Sequence, residues 1–308
     1  MTARNHLALF AIVAVLLAGI PLAPQWLMFL ATLALAKGLV VLGLLLLMRT
    51  GLVSFGQGLY YCLGAYAAAL LEQKLGVNDA ALMLLAALAA AVVVALVLGL
   101  LLASYRGIFF AMLSLAFSMI LFGLLVKSAT LGSTDGFNVA TRSLAGFRIE
   151  AGGAGPFLMA TATVLFAGAA VALDRYLKSH LGRLSAAIRD NELRVEYLGA
   201  SVRRVVHLNY VIAAALGGVG GGLTAAAVGH VDPDMAYWTT SGEFVFVAVL
   251  AGTGNVLAPF LGSALFELIR TLANQYAPNV WQMMLGFAML AIIMFLPAGL
   301  WSLFRRAP

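Results

Sequence analysis

Long apolar runs separated by short polar stretches make up almost the whole chain. Most runs have about 18–25 residues, the length at which an α-helix crosses the hydrocarbon core of a bilayer. The predicted spans are residues 7–24, 26–48, 51–71, 80–103, 108–126, 156–173, 205–228 and 281–301. A glycine-containing break at 252–255 makes residues 235–273 either cross twice or re-enter from outside. The pattern predicts an all-α, polytopic transmembrane helical bundle of about ten spans, or eight plus a re-entrant pair, in a single domain covering 1–308.

One polar stretch stands apart, and we call residues 175–204 the basic segment. It contains 7 of the 18 Lys and Arg residues of the chain. Because cytoplasmic loops of membrane proteins carry the excess of Lys and Arg, the segment is predicted to be cytoplasmic. The same rule places Arg4, Arg305 and Arg306 inside, so both termini are predicted to be cytoplasmic. The longest loop on the other side, residues 127–155, is then external.

The basic segment also has a helical pattern. Its apolar residues recur at helical spacing, at Leu181, Leu184, Ile188, Val195 and Leu198. Asp190 and Asn191 are unfavourable inside a helix, so two short helices are expected. This pattern fits either an amphipathic helix on the membrane surface or a docking element for a soluble partner.

Composition and charge narrow the function classes. With 63% hydrophobic and 10% charged residues and a mean hydropathy of +1.03, the chain is far more apolar than a soluble domain. The net charge of +6 resides in loops that set orientation, so we expect no nucleic-acid partner. The single cysteine, Cys62, cannot form an internal disulfide. No Walker A, HExxH or GxSxG pattern occurs, so we expect no ATPase or other enzyme activity, no catalytic residues, no metal and no cofactor on this chain.

Within the basic segment, residues 182–199 read GRLSAAIRDNELRVEYLG. This resembles the cytoplasmic signature of ABC-importer permeases, which in the LivM-like branched-chain amino acid branch runs roughly G-R-x-x-x-A-I-R-x-x-E-x-A-A-E-x-L-G. Arg194 and Val195 depart from it, since small residues are usual there. Leu198 matches as well. By this resemblance, the residues predicted to couple the chain to an ATPase are Gly182, Arg183, Ala187, Ile188, Arg189, Glu192, Glu196 and Gly199.

Three further stretches resemble the same family. Residues 109–117, FFAMLSLAF, are similar to its Y-F-A-M-x-T-L-A-F. Residues 131–136, LGSTDG, are similar to its T-G-G-x-D-G, with departures at Leu131 and Ser133. In the third span, the residues that match the family in order are Gly51, Ser54, Gly56, Tyr60, Gly64, Ala65 and Tyr66. The resemblance extends from about Trp26 to Trp301.

The resemblance implies a permease subunit of an ATP-driven ABC importer in the bacterial inner membrane. Branched-chain amino acids are the expected substrates, moved by alternating access. The implied partners are a second homologous permease, two cytoplasmic ATPases that hold ATP and Mg²⁺, a periplasmic substrate-binding protein and membrane lipid. Permeases for urea or amides and for aromatic acids share the family, so these substrates stay open. An ion-coupled secondary transporter is the alternative from another class, for which only Glu243 and Glu267 offer intramembrane acids.

Two glycine turns suggest a weak internal repeat. Gly56-Gln57-Gly58 followed by Leu63-Gly64-Ala65 parallels Gly252-Thr253-Gly254 followed by Leu261-Gly262-Ser263. Each turn follows an inward crossing and would open a helix that runs outward. Glycine interruptions at matching positions of two halves point to a transport pathway, although glycine also simply permits close packing. The residues predicted to line the pathway are Ser54, Gly56, Gln57, Gly58, Gly252, Thr253 and Gly254.

Lys37 is a charged residue near the middle of the second span. It lies about 16 Å from Trp26 at ~1.5 Å per residue, close to the bilayer centre. A Lys at that depth is costly on a lipid-facing surface, so it is expected to face protein or water. Three roles stay open: a pair with a carboxylate, for which Glu243 is the candidate, a pair with the partner permease, or a place on the pathway that attracts a substrate carboxylate.

Overall fold

The computed structural model describes residues 3–21, 23–140, 143–144, 147–148, 154–276, 280–295 and 299–304. Its α-helices are α1 Ala3–Gly19, α2 Gln25–Arg49, α3 Gln57–Leu75, α4 Ala80–Leu102, α5 Gly107–Lys127, α6 Ala154–Lys178, α7 His180–Asp190, α8 Glu192–Tyr197, α9 Val202–Val228, α10 Trp238–Ala251, α11 Ala258–Tyr276 and α12 Trp281–Phe295. Short 3-10 helices cover Ala129–Leu131, Pro233–Ala236 and Leu300–Phe304.

Short strands are the one departure from the predicted all-α class. The four two-residue strands are β1 Phe137–Asn138, β2 Ser143–Leu144, β3 Phe147–Arg148 and β4 His230–Val231. β1 pairs with β4 and β2 pairs with β3, both antiparallel. They lie in connections between helices, so the molecule remains a helical bundle.

Five of the described helices are long and apolar enough to cross a membrane, namely α2, α4, α5, α6 and α9. Large apolar side chains cover the outer faces of α4 and α5; Val97, Ile108 and Phe109 are 65%, 75% and 73% exposed. Such faces suit lipid contact, and the chain is a helical membrane protein. The number of crossings and the side on which the termini lie stay predictions, and Arg305 and Arg306 lie outside the described residues.

α9 forms the centre of the bundle and contacts α2, α3 and α4. Glycines bring its backbone close to all three helices. A Cβ atom at Gly220 would lie 2.5 Å from the Ala36 carbonyl oxygen of α2, and one at Gly218 would lie 2.7 Å from the Ala87 carbonyl oxygen of α4. The glycine-rich middle of this span, expected to allow close packing or a break, therefore packs closely within an unbroken helix.

Contacts between helices set their relative directions. Contacts between α2 and α9 are Thr50–Asn209 and Ala36–Gly220, and contacts between α3 and α9 are Gln57–Gly217 and Tyr61–Gly221. For α2 and α11 they are Lys37–Glu267 and, just before α11 begins, Arg49–Thr253. α9 and α11 therefore run antiparallel to α2, and α3 runs parallel to α9. We call the end of the bundle that carries α7 the α7 end. Both helices that follow the glycine turns, α3 and α11, run away from it.

Candidate functional site

The basic segment, residues 175–204, folds as the end of α6, the short helices α7 and α8, and the start of α9. The N-caps of α7, α8 and α9 are Ser179, Asn191 and Ser201. Each accepts a hydrogen bond from the backbone N–H three residues further on. The chain leaves helical conformation at Asn191, between α7 and α8. The two short helices expected from Asp190 and Asn191 are confirmed.

The predicted coupling residues fall into two groups by burial. Gly182 and Ile188 are buried and attach α7 to the bundle. Glu192 is half-buried, because its Oε1 forms an ion pair with Nε of Arg106 at 2.5 Å, just before α5. The exposed members are Arg183, Ala187, Arg189, Glu196 and Gly199. The segment thus has an attached side and an open side, while a contact with an ATPase stays a prediction.

A buried polar network joins α7 to the long helices. Asn209 of α9 donates from Nδ2 to Thr50 Oγ1 at 2.9 Å and to Ser185 Oγ at 2.8 Å. Its Oδ1 accepts a hydrogen bond from the Tyr176 hydroxyl of α6 at 2.6 Å. Leaving a buried polar group unpaired costs about 1–3 kcal/mol, so the four side chains hold one another in place. The network ties α7 to α2, α6 and α9 at once.

A second link connects α2 to the second glycine turn. Arg49 donates from Nε and Nη2 to the carbonyl oxygen of Thr253, at 3.1 and 2.8 Å. A cavity of about 370 Å³ lies beside this contact, and its charged lining residues are Arg49, Arg183, Arg189 and Asp190. The turn at 252–254 therefore lies next to α7, at the α7 end of the bundle.

In the first glycine turn, residues 56–58, serine side chains accept hydrogen bonds from backbone N–H groups. Ser54 Oγ accepts a hydrogen bond from the Gly56 N–H at 3.2 Å, and Ser241 Oγ accepts one from the Gly58 N–H at 3.0 Å. The side-chain amide of Gln57 is buried and has no hydrogen-bond partner within the described part of the chain. The four residues predicted here for a pathway are all buried, so hydroxyl groups of the protein occupy the N-terminus of α3.

The second glycine turn has a different geometry. Gly252 ends α10 at φ +81° and ψ 153°, a conformation essentially restricted to glycine. Gly252 is buried, Thr253 is half-buried and Gly254 is exposed. Both turns precede helices of the expected direction, but one lies inside the bundle and the other at its α7 end. A role of either turn in a pathway stays a prediction.

Lys37 pairs with Glu267, so the choice of Glu243 as its partner is wrong. Nζ of Lys37 lies 2.5 Å from Oε1 of Glu267 on α11, whereas Glu243 on α10 binds Nη1 of Arg270 at 3.3 Å. Glu243 lies roughly 8 Å from Trp238 along its helix at ~1.5 Å per residue, and this depth is the ground on which the sequence favours it. Which carboxylate faces Lys37 depends instead on how α11 packs against α2.

The two ion pairs line a cavity of about 710 Å³. Lys37 and Glu267 are the more buried pair, with side chains 13% and 6% exposed, against 34% and 26% for Arg270 and Glu243. Other polar lining residues are Tyr61, Thr224, Asp232, Asp234, Thr240, Thr271, Asn274 and Gln275. Among the described residues, no group of three His, Cys, Asp or Glu side chains is arranged to hold a metal ion.

Comparison with known proteins identifies the family of the chain. A family model described as "Branched-chain amino acid transport system / permease component" matches residues 26–294. The chain belongs to this family. The match includes the basic segment, both glycine turns and the two ion pairs, so the candidate sites all lie in the shared part of the chain.

Named relatives fall within the same transport system. LivM of Escherichia coli (strain K12) is a high-affinity branched-chain amino acid transport system permease protein; it is 29% identical over 283 residues, which cover 83% of this chain and 65% of LivM. LivM of Salmonella typhimurium is 28% identical with the same coverage. LivH of E. coli K12, a permease protein of the same description, is 25% identical over 81% of this chain and 85% of LivH. The chain spans just under two thirds of the LivM relatives, and no solved structure matches it.

Three residues of these sites were not identified from the sequence. Asn209 is a lone amide in an apolar span of this permease-family chain, which is a signal for a buried polar contact. Arg270 lies three residues after Glu267, on the same helix face, and is a second cation in a stretch predicted to enter the membrane. Arg49 follows the predicted span 26–48, where a basic residue ordinarily marks only the end of a span, but its side chain reaches Thr253.

Proposed function

We propose that this chain is a permease subunit of an ATP-driven ABC importer for branched-chain amino acids in the bacterial inner membrane. The family assignment and the names of the LivM and LivH relatives support the transport system and the substrate. The observation that carries the proposal is the pair α7–α8. It lies beyond the long apolar helices and keeps an exposed outer side. Its Ser185 accepts a buried hydrogen bond from Asn209 of α9, which is in turn bonded to Tyr176 of α6 and to Thr50 at the end of α2.

The exposed side of α7–α8 has the character of a docking surface. Leu193, Tyr197 and Leu198 are 65%, 88% and 78% exposed, although they are large apolar side chains. Arg183 and Arg189 lie near them in sequence and are also exposed. Apolar groups rimmed by charge are typical of a protein contact, and here the partner is an ATPase subunit.

Movement of an ATPase would reach the membrane helices through the contacts already described. ATP binding closes the two ATPases on each other and moves α7. The Asn209 network passes that displacement to α2, α6 and α9, and the Glu192–Arg106 pair passes it to α5. α2 also carries Lys37, so the same helix connects the docking side to the charged cavity. ATP and Mg²⁺ belong to the partner ATPases.

The topology of the proposal has both termini and the basic segment in the cytoplasm. α10 has 14 residues and is about 21 Å long, shorter than the ~30 Å hydrocarbon core. Ala236, just before it, accepts a hydrogen bond from Ser118 in the middle of α5 at 2.7 Å. The segment before α10 therefore enters from the external side and α10 completes only part of a crossing. A second homologous permease and a periplasmic binding protein complete the importer.

The test is leucine uptake by vesicles that contain this chain with its partner permease, two ATPases and binding protein. Ala187→Trp places a large side chain on the exposed face of α7 and is expected to abolish ATP-dependent uptake while the permease pair still assembles. Ala89→Trp, on an exposed position of α4, is the matched control and should retain uptake. Uptake by Ala187→Trp equal to that of the control would contradict the docking role. Uptake by vesicles without any ATPase would instead favour an ion-coupled transporter.

A further inference from the structure

The cavity between α2, α10 and α11 contains groups that the proposed coupling mechanism does not use. The ion pairs Lys37–Glu267 and Arg270–Glu243 line it, and Asp232 and Asp234 add two more carboxylates. Oδ1 of Asp232 is buried and has no hydrogen-bond partner within the described part of the chain. A cavity of about 710 Å³ lies within the usual range of small-molecule sites, roughly 300–1,000 Å³. This much charge around an open volume calls for a ligand with charges of its own.

We infer that this cavity is a station for a zwitterionic α-amino acid, bound with its carboxylate at Arg270 and its ammonium group toward Asp232 and Asp234. The inference rests on the proposed function, because it names the place in this permease where the substrate pauses. It also narrows the substrate class within the family.

The arrangement of the two pairs suits a ligand with both charges. Glu267 and Arg270 are three residues apart on one face of α11, and they bind partners on α2 and α10. The Arg270–Glu243 pair is longer and more exposed than the Lys37–Glu267 pair, so it is the one that an entering ligand meets and opens. A carboxylate that takes over Arg270 releases Glu243, and the ammonium group, held toward Asp232 and Asp234, balances the negative charge that the ligand carboxylate adds to the cavity.

Charge balance then discriminates between ligand classes. A zwitterion brings one charge of each sign, so its binding leaves the net charge of the cavity unchanged. An aromatic acid brings only an anion into a cavity that already has more carboxylates than cations. A neutral amide would have to separate an ion pair without replacing either charge, which is unfavourable in a partly dehydrated site.

The cavity is closed on the side nearer the α7 end, so a ligand that enters it would stop there. Beyond Lys37 and Glu243, the side chains of Val41, Phe244 and Phe266 approach one another and leave no room for a water molecule. Passage towards the α7 end therefore requires movement of α2, α10 or α11. α2 is the helix that the Asn209 network connects to α7.

Protection from alkylation tests occupancy directly, in the assembled importer without its binding protein. Thr271→Cys, combined with Cys62→Ala, places the only thiol of this subunit at the cavity wall, and its labelling is read on the isolated subunit band. Leucine should slow its reaction with a small maleimide. 4-Methylpentanoate, which is leucine without the amino group, and 3-methylbutylamine, which is leucine without the carboxylate, should each need at least about tenfold higher concentration for equal protection. No protection by leucine, or equal protection by all three, would overturn the inference.

Reversal of one pair separates binding from structure. Glu243→Arg with Arg270→Glu keeps an ion pair but exchanges its polarity. If the pair serves only packing, the reversed importer takes up leucine like the wild type, which would contradict the inference. The expected result is normal assembly with uptake reduced at least about tenfold. If the reversed chain fails to assemble, the protection assay on Thr271→Cys decides alone. Absence of leucine uptake by the wild-type importer would refute the proposed function, whereas intact wild-type uptake with no protection refutes only this station.

Discussion

The first glycine turn is crowded on all sides, whereas the second is set by its backbone conformation. A Cβ atom at Gly56 would lie 2.7 Å from the carbonyl oxygen of Ser114, and one at Gly58 would lie 2.6 Å from Oγ of Ser241. Gly252, in the second turn, has φ +81°. The same G-x-G pattern therefore meets two different physical requirements, close approach in one place and a positive φ with an extended ψ in the other.

Their surroundings explain the difference. The first turn lies where α3, α5 and α10 meet, so every side-chain atom there has to displace a neighbouring segment. The second joins α10 to α11 at the α7 end, where the chain has to reverse direction and Gly252 adopts a positive φ. Substitution by alanine should therefore act on packing in the first turn and on conformation in the second, and four variants separate these effects.

Gly56→Ala is expected to have the largest effect. The nearest atoms belong to the α5 backbone, which cannot move without shifting the whole helix, so we expect a loss of about 3 kcal/mol of stability. Thermal unfolding of the purified chain in detergent measures it. Gly123→Ala, on α5, is the matched control and should be neutral or slightly stabilising, because no neighbouring atom of the described residues lies within 4 Å of an added Cβ atom. Equal melting temperatures for the two variants would show that the first turn is not crowded.

Gly252→Ala is expected to lose about 2 kcal/mol, because alanine does not readily adopt the φ and ψ of this residue. The same melting experiment applies. Measured in the importer, leucine uptake by a variant that still assembles would also test the predicted pathway role. Normal stability together with normal uptake would mean that the second turn has no special requirement for glycine.

Gly58→Ala is expected to lose about 1 kcal/mol, since its closest contact is a hydroxyl group that can rotate away. Ser241→Ala removes that hydroxyl group and with it the cap of the Gly58 N–H. The double variant should therefore lose less stability than the two single losses added together. Strict additivity would indicate that Ser241 is not the neighbour that limits this position.

Gly254→Ala is expected to change stability by less than about 0.5 kcal/mol, as is usual for exposed positions. Gly254 is exposed, and among the described residues only the Trp301 side chain lies near it, at 3.3 Å from an added Cβ atom. A loss as large as that of Gly252→Ala would show that the whole second turn, rather than one residue, requires glycine. Because Gly252 and Gly254 belong to the same turn, a difference between their alanine variants does not arise from where the turn lies in the bundle.

Local signals in the sequence account for part of the coupling site. Asp190 and Asn191 predict the break between α7 and α8 because polar side chains that bond to nearby backbone stop helices and cap the next one. They do not predict that Gly182 and Ile188 face inward while Ala187 faces outward. That division depends on where the end of α6 and the start of α9 press against α7.

For the charges inside the bundle, too, the sequence predicts a local requirement but not the residue that meets it. The position of Lys37 within an apolar span is enough to predict that it needs a partner, because an isolated charge is costly there. Glu243 and Glu267 are both suitable in sequence. Only the packing of α11 on α2 selects Glu267, and the same packing leaves Glu243 to Arg270.

Hydrophobic run lengths, the Lys and Arg distribution and the segment 182–199 are properties of the sequence alone, and they determined the membrane class and the family. These are local signals, since each is read within one helix or one loop. The Asn209 network, the Lys37–Glu267 pair and the charged cavity were decided only by the tertiary structure. Each joins residues separated by up to about 230 positions, and their proximity depends on how helices cross and rotate, which a period of 3.6 residues does not specify.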